Sequence, residues 1–119
     1  MKIIILLLAT ITLTGCMVYR SAGSLTIIET DKLHSINGKH LVCLYHKSDK
    51  LINGSEDVKF LTQVVISGCE SNLKEVEKYL FKINMPPDFI QGYINSSRQQ
   101  GFVVISEYIL AAKANNNVK

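Results

Sequence analysis

Along this chain the apolar positions keep two different periods. Up to about residue 67 they gather in short β-branched runs or alternate with polar ones, and from residue 72 into the mid-90s they return every three or four positions. Leu25 to Thr30 (LTIIET) is short, β-branched and bounded by polar residues, which predicts a strand. Ile36-Asn37-Gly38-Lys39 carries an Asn-Gly pair, and that pair tolerates the positive φ of a tight turn. His40 to His46 (HLVCLYH) follows as a second strand, apolar on both faces and hence central. Asn53-Gly54 offers another turn. Beyond it Val58 to Ile66 alternates, with Val58, Phe60, Val64 and Ile66 on one face and Lys59, Gln63 and Ser67 on the other.

The period then changes. Leu73, Val76, Leu80 and Ile83 share one stripe at helical spacing, predicting a helix from Asn72 to Ile83 with Asn72 and Glu75 as a capping box. Met85-Pro86-Pro87-Asp88 ends that helix and starts another, because proline suits a first turn and an acid suits the positive end of the helix dipole. Phe89, Ile90, Tyr93 and Ile94 give the second helix its buried side, and Gly101 supplies a stop. Phe102 to Ser106 (FVVIS) reads as a last strand, and the stretch from Glu107 to Ala114 is ambiguous between strand and helix. The expected fold is α+β: a small antiparallel sheet in the order βββααβ with two helices packed on one face.

The first residues belong to a different physics. Lys2 precedes an apolar run from Ile3 to Leu13 broken only by Thr10 and Thr12. That run suits a secretory signal, whereas a spanning helix needs about 20 apolar residues. It ends in Leu13-Thr14-Gly15-Cys16, which resembles the lipobox of bacterial lipoproteins at each of its four positions. The resemblance covers the leader alone. It implies that residues 1–15 are removed and that Cys16 becomes the first mature residue. It further implies a covalent diacylglyceryl group on the sulfur and often an acyl group on the new amino terminus. Met17, rather than Asp, follows the cysteine, and in enteric-type bacteria this implies sorting to the outer membrane. Residues 16–24 then form a lipidated tether, residues 25–112 a single domain and residues 113–119 a disordered tail.

Cys43 and Cys69 remain, and an even count in an oxidising compartment predicts a bridge. It would close a loop of about 27 residues, worth roughly 3–4 kcal/mol in the chain-entropy model. The strand assignment resists it. A regular hairpin about Asn53-Gly54 sets Cys43 opposite Val64, which leaves Cys69 roughly 17 Å away. Either the hairpin is irregular, or Gly68 bends the chain back, or both thiols stay free.

Composition narrows the chemistry. The chain of 119 residues carries a net charge of +3 without a concentrated basic run, which argues against nucleic acid as a partner. His40 and His46 in one strand stand about 20 Å apart, too far for a shared metal, so neither a metal site nor a cofactor beyond the lipid is expected. No Gly-x-Ser-x-Gly elbow is present, and Glu75 and Glu77 point about 160° apart around their helix. The chain is expected not to be an enzyme. Lys74, Lys78 and Lys82 at i, i+4 and i+8, with Phe81 beside them, form a basic ridge suited to lipid headgroups or an acidic partner.

Together these features predict a small non-enzymatic lipoprotein facing the periplasm from the outer membrane. It would act there as a binding or assembly accessory in the manner of a pilotin. The partners implied are the membrane and an envelope protein. The alternatives are an exclusion or immunity factor, an inhibitor of an envelope enzyme, or a cell-wall-active enzyme whose mark would be a Cys69–His pair or a two-acid cleft.

Overall fold

In the computed structural model, which describes residues 18–117, the chain forms four α-helices and, among the described residues, no strand. α1 spans Ile27–Leu51, α2 Val58–Gly68, α3 Glu70–Lys82 and α4 Pro87–Asn116. The expected α+β fold and its βββααβ sheet are therefore incorrect. None of the four segments assigned to strands is one: Ile27–Thr30 of LTIIET and all of HLVCLYH belong to α1, Val58–Ile66 to α2, and FVVIS to the middle of α4.

The helices amount to three rods: α1 and α4 run the same way, and the middle rod, broken into α2 and α3, runs against both. One core cluster joins Leu33 of α1 to Leu73, Val76 and Leu80 of α3 and to Ile90 and Ile94 of α4. The other joins Leu44 of α1 to Leu61 and Val65 of α2 and to Ile105 and Ile109 of α4. Each outer rod thus lies along both halves of the middle one.

Helix starts are fixed by short-range chemistry. Thr26 Oγ1 accepts from the Glu29 N–H at 3.2 Å, and Glu29 Oε2 accepts from the Thr26 N–H at 2.9 Å. This is a capping box, and it places the start of α1 inside the segment read as a strand. The box expected at Asn72 does not form, because α3 has already begun at Glu70. Asp57 caps α2 through the Phe60 N–H at 2.9 Å. Pro87 opens α4 as the sequence predicts. The α3–α4 corner is a Schellman turn: Asn84, at φ 60°, donates to Phe81 O at 3.0 Å, and Met85 donates to Leu80 O at 3.1 Å.

Two features hide the helical period of α1 and α2. Several inward positions are polar, with His40, Ser48 and Thr62 all buried. The hydroxyls of Ser48 and Thr62 donate back to Leu44 O and Val58 O, each at 2.7 Å, which is how they tolerate burial. Meanwhile Leu41, Val42, Tyr45, Phe60 and Val64 are apolar yet exposed. The result imitates alternation.

Neither Asn37-Gly38 nor Gly101 interrupts a helix. Gly101 is buried inside α4 where that helix passes close to α1, and a Cβ there would sit 3.0 Å from Leu44 Cδ1 and 3.4 Å from Ile66 Cδ1. Residues 113–116 form the last turn of α4, and Lys113 Nζ donates to Gly54 O at 2.6 Å.

The glycines test this assignment. At Gly38 and Gly92 an added Cβ meets nothing within 4 Å, so Gly38→Ala and Gly92→Ala should each stabilise the fold by about 1 kcal/mol through helix propensity. Gly101→Val should cost about 1–3 kcal/mol by overpacking. Urea titrations followed by circular dichroism measure all three. Destabilisation by Gly38→Ala would restore the turn at that position.

Candidate functional site

The three lysines expected on one ridge are exposed on α3, but the neighbouring helices divide them between two grooves. Lys74 and Phe81 line a groove between α3 and α4 of about 470 Å³, together with Glu70, Glu77 and Arg98. Two cations there face two acids. Arg98 grips Glu70 through both ends of its guanidinium, with Nε to Oε2 at 3.3 Å, and holds the Glu70 carboxyl below its usual range. This groove is electrically balanced.

The other groove is not. Lys78 and Lys82 of α3 meet Lys32 and Lys39 of α1 along a groove of about 330 Å³. Ile36 and Tyr79 line it between the lysines, and the Tyr79 hydroxyl donates to Glu29 O at 3.4 Å, joining the two helices. Glu75 is the sole acid in that lining, and its carboxylate accepts from Lys78 Nζ at 3.0 Å. Both partners are largely exposed, so the pair contributes little to stability. Four lysines against one glutamate leave a strip of positive potential along the α1–α3 seam.

Lys32 and Lys39 were missed because their segment was read as strand, turn and strand. At helical spacing Lys32, Ile36 and Lys39 fall at i, i+4 and i+7, and Glu75, Lys78, Tyr79 and Lys82 repeat the pattern on α3. The Thr26-x-x-Glu29 capping signature was the available clue that α1 starts there.

The cysteines form a disulfide, with Cα atoms 5.9 Å apart. The hairpin that argued against it does not exist. Cys69 caps the break between α2 and α3, and Cys43 projects from α1 one turn beyond His40. His40 is buried at this corner, with Nδ1 3.3 Å from Cys69 O. A carbonyl only accepts, so Nδ1 carries the proton in the neutral ring, and Nε2 is left buried without a hydrogen-bond partner. The histidine therefore meets the carbonyl of Cys69 rather than a thiolate, because the sulfur is committed to Cys43. His34 and His46 are exposed. Among the described residues no group of three or more His, Cys, Asp or Glu side chains could hold a metal ion.

At the start of the bundle Arg20 fastens the chain. Its guanidinium donates to both Glu29 carboxylate oxygens, at 2.6 and 2.9 Å, and its backbone N–H donates to Asn84 O at 2.9 Å. The Arg20 bonds, followed by the Thr26 backbone N–H, draw the Glu29 carboxyl down to about 2. Cys16 lies outside the described residues. No helix among those residues is long and apolar enough to cross a membrane.

Fold and surface together define a disulfide-clamped three-rod bundle with one basic seam. No protein-family model matches the chain, and no curated protein or solved structure matches it either.

Two outcomes are expected at the corner. Replacing both Cys43 and Cys69 by alanine should cost roughly 3–4 kcal/mol in a denaturant titration, from the loop of 26 residues' separation that the bridge closes. Burial, more than any neighbouring charge, pushes the His40 pKa down. Below about pH 6.5 the unfolded chain takes up a proton that the folded chain refuses. Stability should therefore fall from pH 6.5 downward, above the range where carboxylates titrate. His40→Gln should flatten that part of a thermal-melt pH series, and an unchanged slope would clear His40 of the effect.

Proposed function

We propose that this chain is a small non-enzymatic lipoprotein of the bacterial outer membrane, held by acyl chains on Cys16 and facing the periplasm. It serves there as a binding or assembly accessory for another envelope component. The observation that carries the reading is Leu13-Thr14-Gly15-Cys16 at the end of an apolar run too short to span a bilayer. Acylation does what that run cannot: each buried methylene contributes about 0.8 kcal/mol, and two or three chains hold where one is marginal.

The tether gives the reading a mechanism. Arg20 is bonded to both Glu29 and Asn84, so the stretch of chain from Cys16 to a point fixed on the bundle is only a few residues long. At about 3.5 Å per residue its reach is about 14 Å. Confinement that close to a bilayer raises the effective concentration of the bundle toward anything else in the same leaflet. The disulfide across α1 and the α2–α3 corner suits an oxidising compartment outside the cytoplasm.

Membrane fractionation of cells expressing Cys16→Ala tests the anchor. The wild-type chain should sediment with membranes and carry acyl mass on residue 16, and the variant should be released. Continued sedimentation of the variant would end the proposal. Crosslinking in the native envelope, followed by mass spectrometry, should return a specific protein neighbour.

A further inference from the structure

We infer that the α1–α3 side of the bundle is a membrane-facing surface, whose lysine seam takes the phosphates of anionic lipid headgroups while Ile27 and Ile28 enter the interface. The inference rests on the lipoprotein reading for its choice of ligand, because a bilayer is then the anion source always within reach.

Three observations converge on it. The first is charge: Lys32, Lys39, Lys78 and Lys82 line one seam against Glu75 alone, whereas the α3–α4 groove is neutral. The second is place. Lys82 ends α3 beside Ile83 and Asn84, and Arg20 reaches the backbone of both those residues, so the seam opens at the end where the chain from Cys16 enters. The third is apolar surface at that same end. Ile27 and Ile28 are each 82% exposed, an unusual state for isoleucine. Ile28, Lys32, Ile36 and Lys39 stand at i, i+4, i+8 and i+11, so one stripe of α1 runs from apolar tip to basic seam. Such a stripe matches the bilayer boundary, where apolar side chains sit below the phosphates and long lysine stems reach up to them. Acyl chains supply one attachment and the seam a second. That second contact lays the bundle on its α1–α3 side and turns the α4 face toward the periplasm.

The test uses the mature chain from residue 16 with Cys16→Ser, which carries no lipid and retains every residue of both core clusters. It is floated with vesicles of phosphatidylcholine alone or mixed with an equal part of phosphatidylglycerol. Binding should be confined to the anionic vesicles and weaken as salt is raised. Lys32→Gln with Lys82→Gln should weaken binding about 25-fold, at about fivefold per lysine near an anionic surface. Ile27→Ser with Ile28→Ser should weaken it as well. Lys50→Gln with Lys59→Gln removes the same charge at the opposite end and should leave binding unchanged. Equal binding to both vesicle types, or equal losses in the two lysine pairs, would overturn the inference. Failure of the anchor reads out separately, as wild-type protein without acyl mass on residue 16 whose unlipidated form still prefers anionic vesicles.

Discussion

The middle rod of the bundle breaks between Gly68 and Glu70, and a covalent bond from α1 lands on the residue at the break. Without a fixed corner there, α2 and α3 would be helices of 11 and 13 residues, short enough to be marginal on their own. The Cys43–Cys69 bridge sets where both meet α1, and so sets the register of the core on either side. His40 adds a hydrogen bond to the same corner from one turn earlier, and Gly101 lets α4 close over it. Leu33 with its α3 partners and Leu44 with its α2 partners are two cores spliced at one layer.

That splice explains which parts of the fold could be read from the chain. α3 was legible because Leu73, Val76 and Leu80 are buried, while Lys74, Glu77 and Lys78 face solvent. The start of α4 was legible because proline and aspartate act locally. α1 and α2 were not. Their inward stripe passes through His40, Ser48 and Thr62, and their outward positions include Val42, Phe60 and Val64, so the apolar signal is low where the core is and high where it is not. The same inversion recurs around Gly101, where a glycine marks the tightest packing and Phe102 to Val104 face outward. Of the basic seam, Lys78 and Lys82 were visible from α3 alone, but Lys32 and Lys39 join them only once α1 is helical.

The charges are arranged with the same economy. Acids that matter structurally are consumed: Glu29 by Arg20, Glu70 by Arg98 and Asp49 by the Tyr108 hydroxyl at 2.5 Å. In the lining of the α1–α3 seam, Glu75 is the one acid set against four lysines. A modest net charge is thus unevenly spread, with a surplus of cations in the α1–α3 groove and a balanced α3–α4 groove.

Arg20 has a mechanical consequence. Its side chain holds the first turn of α1, and its backbone holds the corner between α3 and α4. Any pull arriving through the preceding residues is therefore shared between separate rods before it can fray the end of α1. The arginine works as a strain relief where a cord enters its housing, so a tug moves the whole bundle instead of unwinding its first helix.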